Sequence, residues 1–249
     1  MSTATPGADQ LQALINYSNN KTGASDTTLS DAVARLVVGY GGGSIENGII
    51  FTELNNDGRP ISADIYGDVP PYAFGQIIAS SVLGGYLTNI TFKGNTTKIG
   101  TAAFQKNAAL TELIIPDSVT TIGSQIVRGC TGMVRYIHEN ASNFYGVRSP
   151  ASQAIFSNWI ATSLETLQLG AVGKPVTALS RVAFDAVNFP ATANVIIYCS
   201  GGNVDTYLKA VRVNVTKATV TFKASEATTY NSTSYAAGDT ILTDVPSTT

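Results

Sequence analysis

Three stretches of this chain begin alike and keep step. Leu87-Thr-Asn-Ile90-Thr-Phe92 is followed 23 residues later by Leu110-Thr-Glu-Leu113-Ile-Ile115, and Met133-Val-Arg-Tyr136-Ile-His138 starts a third copy at the same interval. A second landmark shares the step: Ile99-Gly100 in one copy and Ile122-Gly123 in the next. A fixed period of roughly 20–29 residues with Leu-x-x-Leu-x-Leu spacing marks a solenoid of stacked coils. Each coil buries its apolar residues only against its neighbours, so the product is mostly surface. A binding or structural role is the expectation that follows.

Composition narrows the partners. The chain has 249 residues, 44% of them hydrophobic, which suffices for a core. Charged residues make up 13% and the net charge is −2. The sequence offers no basic patch for nucleic acid and no polybasic segment for a membrane surface. No apolar run approaches the roughly 20 residues of a membrane span. Met1 to Gln10 has neither a basic start nor an apolar stretch. The sequence as written is expected to carry no secretory signal, so that either a signal has been removed or the chain reaches the exterior by another route, lysis being one. Cys130 and Cys199 are the only cysteines, too few for a disulfide framework, and are expected to be buried thiols.

The pattern predicts four regions. Residues 1–43 read as a helical attachment segment. Leu29, Val33, Leu36, Val37 and Tyr40 form one apolar face, and Gly41-Gly42-Gly43 follows as a hinge. Residues 44–86 read as a β-hairpin and a degenerate first repeat. The hairpin strands are Ile49–Leu54 and Ile61–Tyr66, joined by an Asn-Asn-Asp-Gly turn. Glu53, Asn55 and Asp57 have calcium-like spacing but lack the later carboxylate, so a plain turn is expected. Residues 87–212 form the solenoid, interrupted at 139–163 by a segment that includes a short helix at Gln153–Ile160. Residues 213–249 form a C-terminal β segment or tail.

Within a copy, Leu110, Leu113 and Ile115 point inward from a short strand that Pro116 ends. Ala103-Phe104 fills the opposite wall, and Gly100 and Gly123 are expected to make tight corners. Cys130 is expected to bond to turn backbone between coils. The fold class expected is mainly β with short helices: a short solenoid preceded by a helical segment and a hairpin cap.

These landmarks resemble the BspA-type leucine-rich repeat, also called the Treponema pallidum-type repeat. Leu110 to Pro116, Ile99 to Phe104, and Gly129-Cys130-Thr131-Gly132-Met133 carry the likeness. Val204-Asp205-Thr206-Tyr207 resembles part of the family's closing unit, and Cys199-Ser200-Gly201-Gly202 departs from it. The resemblance covers about residues 60–210. It implies a surface protein or adhesin, or a phage structural protein. Asn19 to Gly43 is similar to N-terminal segments of virion-associated proteins. That points to docking on tail or capsid proteins, a virion location and, on the model of phage fibres, a homotrimer. The alternative it implies is a bacterial surface or secreted adhesin.

The sequence gives no catalytic, cofactor or metal site. No Gly-x-Ser-x-Gly elbow, Walker loop or His-Glu-x-x-His occurs. His138, the only histidine, falls at an inward strand position and is expected to be buried and satisfied. The expectation is a non-enzyme, with a glycan hydrolase the distant alternative. Outward strand residues should stack into columns, Asn89, Glu112, Arg135 and Thr166 in one and Thr91, Ile114, Ile137 and Gln168 in the other. Phe144, Tyr145 and Trp159 in the interruption are a second candidate, since aromatics anchor interfaces. The ligand expected is a bacterial surface glycan or protein.

Overall fold

The computed structural model describes residues 49–56, 60–74, 86–142, 145 and 154–246. The expected attachment helix with Leu29, Val33, Leu36, Val37 and Tyr40 lies outside them, as does Phe144. The described chain is mainly β with a single short helix, wound as a solenoid of about five turns.

Strands β1 (Ile49–Leu54) and β2 (Pro60–Ile65) form the hairpin, Ile49 opposite Ile65. β3 (Asn89–Phe92) adds parallel to β2, completing a three-stranded sheet. Each later coil contributes one strand: β5 (Glu112–Ile115), β7 (Arg135–His138), β8 (Thr166–Leu169) and β9 (Asn194–Cys199). The short pair β4 (Lys98–Ile99) and β6 (Thr121–Ile122) lines a second wall. Helix α1 (Val204–Arg212) follows, then β10 (Thr219–Ala224), the small hairpin β11 (Thr228–Tyr230) and β12 (Thr233–Tyr235), and β13 (Thr240–Asp244). The large sheet runs β13-β10-β9-β8-β7-β5. It therefore continues past residue 212, because β10 pairs parallel to β9 over six residues. β13 closes it antiparallel.

Three walls hold the coils together. On the strand wall, the inward residues Leu113, Ile115, Tyr136, His138, Leu167, Leu169, Val195 and Ile197 are all buried. On the ladder wall, Val69 bridges Ile99 and Ile99 pairs with Ile122, while Tyr145 bridges Leu179 further along. On the third wall, Phe74 N–H donates to Ala103 O at 2.8 Å and Phe104 N–H to Ile126 O at 3.0 Å. The Phe74 and Phe104 rings stack at 5.6 Å.

The glycines act differently from expectation. Gly100 and Gly123 are absent from the left-handed region. Their need is space: a Cβ on Gly100 would sit 2.2 Å from Pro71 N, and one on Gly123 2.2 Å from Thr101 N. The corners themselves fall on the third wall. Ala102 and Gln125 take φ near +55 before the turn, and Lys106, Gly129, Asn158 and Ala186 take positive φ after it.

The interruption is a longer third coil. Met133 and Leu164 are 31 residues apart, yet the walls are refilled in order. Tyr145 occupies the ladder, and Ala154, Ile155 and Phe156 occupy the third wall, all buried. The short helix expected at Gln153–Ile160 is replaced over residues 155–158 by turn. Asn158 takes φ +58 and its N–H donates to Asp185 O of the next coil, at 3.1 Å, instead of closing a helical bond.

Two polar side chains at one position of successive coils bond to turn backbone. Asn107 Nδ2 donates to Phe74 O and Phe104 O, both at 2.9 Å. One period later Cys130 Sγ donates to Phe104 O at 3.0 Å, the bond between coils that the sequence suggested. At the far end Arg212 clamps the last unit: it donates to the carbonyls of Val215, Ala218 and Asp244 and pairs with the Asp244 carboxylate.

Candidate binding face

The outward side of the six-stranded sheet presents two rows in register. Glu112, Arg135, Thr166, Asn194 and Thr219 form the first. Ile114, Ile137, Gln168, Ile196, Thr221 and Thr243 form the second. Parallel pairing brings these side chains to neighbouring strands about 4.8 Å apart, and the packed coils behind them hold the rows rigid. Six of the eight column residues expected from the sequence lie here.

Asn89 and Thr91 do not. They sit on β3, whose partner is β2, with Asn89 opposite Ser62 and Thr91 opposite Asp64. β3 makes no ladder with β5. A cleft of about 330 Å³ separates the two strands, lined by Ile90, Phe92, Ile114 and Pro116 among others. Ile90 and Phe92 are consequently only half-buried, unlike their counterparts in later coils.

Tyr145 and Trp159 also leave the candidate list as surface anchors. They are 1% and 0% exposed. Tyr145 stacks on Phe156 at 5.2 Å, and Trp159 packs on Phe156 at 5.5 Å and edge-on to Phe189 at 5.3 Å. The Trp159 indole N–H donates to Cys130 O at 3.2 Å. Large rings are what fill the extra volume of a longer coil, so the interruption turns Tyr145, Phe156 and Trp159 inward.

The face is mixed in chemistry. Glu112 and Arg135 pair at 2.5 Å on the open surface, where such a contact contributes little. Thr221 donates to Asn194 Oδ1 at 2.9 Å, fixing the amide. Ile114 is 48% exposed, Ile137 is half-buried beside it, and Ile196, also half-buried, follows beyond Gln168. At the far side Lys223 Nζ lies 5.7 Å over the Tyr198 ring. Asn194, Ile196, Tyr198 and Lys223 were missed in the sequence. The signal was present in the alternation of Asn194–Cys199, but assigning its face requires knowing that β8 and β9 pair.

Reactive groups are quenched by burial. His138 is fully buried, its Nδ1 3.0 Å from the Tyr145 hydroxyl, which is itself 3.0 Å from the Tyr136 hydroxyl. Desolvation drives its pKa down to about 3, against the opposing pull of Asp117. Burial pushes both the Cys130 and Cys199 thiols up to about 12, so neither supplies a thiolate nucleophile. Among the described residues no group of three or more His, Cys, Asp or Glu is placed to hold a metal, and no helix is long and apolar enough to cross a membrane.

Coils built on a leucine strand, an Ile-Gly ladder and an Ala-Phe wall define a leucine-rich-repeat solenoid, a fold typical of non-enzymatic binding proteins. Residues 76–171 match the model of the BspA type leucine rich repeat region, in 6 copies, so this part of the chain carries repeats of that type. No curated protein and no solved structure matches the chain.

Proposed function

We propose that this chain is a non-enzymatic, surface or adhesin-like binding protein whose ligand lies across the outward face of the six-stranded sheet. The observation that supports it best is the in-register row Ile114, Ile137, Gln168 and Ile196 beside a polar row of Glu112, Arg135, Thr166 and Asn194. Branched aliphatic residues on a rigid sheet give contact area with little side-chain entropy to lose, and the polar row supplies direction. A cell-surface protein or glycan of a bacterium is the ligand class. In the finer reading the chain is displayed on a phage particle, docked through residues 1–43 as the resemblance of Asn19–Gly43 implies. The alternative is a bacterial surface adhesin.

Two measurements test this. Ile137→Arg places a charge in the middle of the apolar row and is expected to weaken adsorption of the purified chain to whole bacterial cells by about tenfold or more; unchanged adsorption would remove the face from consideration. Density-gradient fractionation of a producing culture separates the locations. Comigration with intact particles supports the virion reading, and recovery in the cell envelope supports the adhesin.

A further inference from the structure

We propose that the dent crossing the ladder wall of the early coils is a second binding subsite, and that it takes a neutral pyranose ring. It is separate from the sheet face and does not depend on that reading.

The dent follows from coil stacking. Each ladder residue, Val69, Ile99 and Ile122, is followed by Pro70, Gly100 or Gly123. At both glycines the preceding coil leaves no room for a Cβ, Pro70 and Pro71 standing against Gly100 and Thr101 against Gly123. The wall therefore carries a row with almost no side chains, and a cavity of about 760 Å³ opens over it. That volume lies within the ~300–1,000 Å³ of small-molecule clefts. The rings of Pro70 and Pro71 and the backbone at Gly100 and Gly123 line it, so its surface mixes apolar rings with peptide groups.

The rim is polar and set by register. Lys98 stands opposite Thr121, and Asp68 precedes the Val69 bridge to Ile99. Asn95 and Thr97 complete it. Asp68 is fixed in place: its Oδ1 accepts from Thr97 N–H at 2.8 Å, Thr97 Oγ1 at 2.9 Å and Lys98 N–H at 2.8 Å. Partial burial opposes its ionisation, but these bonds and the Lys98 charge outweigh that and hold the carboxyl below its ordinary value. Among the described residues its Oδ2 has no hydrogen-bond partner.

This chemistry selects a ligand. The rim offers one carboxylate and one ammonium, so neither a phosphate nor a polycation is favoured. A carboxylate only accepts, a threonine hydroxyl does both, and an ammonium only donates. Vicinal hydroxyls answer all three, and the C–H face of a pyranose suits the rings of Pro70 and Pro71.

Saturation-transfer NMR on the full chain with methyl pyranosides of glucose, mannose, galactose and N-acetylglucosamine tests the subsite. At least one is expected to receive transfer, strongest at the ring protons of one face. Asp68→Asn keeps an oxygen for the Thr97 and Lys98 bonds, and Thr121→Val alters an exposed side chain, so both are expected to fold. Each is expected to weaken binding about fivefold, the loss of one hydrogen bond, with Ile137→Arg unchanged. Absence of transfer from all four sugars would overturn the proposal. So would transfer that survives both rim variants, that is lost with Ile137→Arg, or that lysine methyl ester outcompetes.

Discussion

The second and third coils start with the same strand and then part. From Leu110 the second coil reaches its ladder residue at Ile122, its third wall at Ile126 and Val127, and a glycine corner at Gly129. From Met133 the third coil reaches Tyr145, then Ala154 to Phe156, then an asparagine corner at Asn158. Eight extra residues separate Met133 from Leu164, and the chain still returns to β8 in register with β7. A coil is thus specified by what occupies its walls, and loop length between walls is cheap because closure entropy rises slowly with length. The occupants must grow with the coil. The regular coil uses aliphatic residues, while the long one uses Tyr136, Tyr145, Phe156 and Trp159 with ring centroids 5.0–6.2 Å apart along Tyr136–Phe156, Tyr145–Phe156, Phe156–Trp159 and Tyr136–Trp159.

That difference can be broken most severely at Trp159. Trp159→Ala removes the largest ring and the bond to Cys130 O, and is expected to cost about 3–5 kcal/mol in chemical denaturation. An effect below that range would mean the long coil collapses onto the space. Tyr145→Phe keeps the ring and deletes only the hydroxyl shared by Tyr136 and His138, with an expected cost of about 1–3 kcal/mol. A neutral result would show the polar chain to be incidental to the packing.

The same chain makes the third coil acid-sensitive. His138 has its folded pKa depressed from 6.5 to about 3 by burial. Below pH 6.5 the unfolded chain takes up a proton that the folded chain refuses. Stability is therefore undiminished above 6.5 and falls as pH drops toward 3, by at most about 1.4 kcal/mol per pH unit for this group. Denaturation midpoints against pH should show the slope in the native chain and a shallower one in His138→Leu, which copies Leu169 of the next coil. Equal slopes would assign the acid response to other groups.

The corners give the smallest effects. Gly129→Ala forces a Cβ at φ +72 and within 3.2 Å of Lys106, with an expected cost of about 1 kcal/mol. The reverse change at the equivalent corner, Ala186→Gly, relieves the strain at φ +52 but loosens the unfolded chain, for a net gain of a few tenths of a kcal/mol. Thermal melts of the pair should shift in opposite directions.

What the sequence disclosed was periodic and local. Leu-x-x-Leu-x-Leu spacing located the strands, Ile-Gly the ladder and Ala-Phe the third wall. Cys130 was legible because Asn107 stands one period before it. The inward position of His138 followed from the two-residue alternation of side chains along a strand. These inferences succeed because each concerns residues inside one coil or one period apart.

Only the folded chain decided which strands join. Asn89 and Thr91 obey the period as well as Glu112 and Ile114 do, yet β3 pairs with β2 and leaves a cleft at β5. Tyr145 and Trp159 look like surface aromatics until the longer coil supplies a volume that needs them. Gly100 and Gly123 look like corners until the neighbouring coil is seen 2.2 Å from where a Cβ would be. Arg212 reaches Asp244 across a loop and a hairpin that no period connects. The sequence by itself determined the coil, because a coil's own apolar positions recur at a fixed step. The tertiary structure decided the contacts between coils, because hydrogen-bond partners, filled volume and close approach belong to two segments at once.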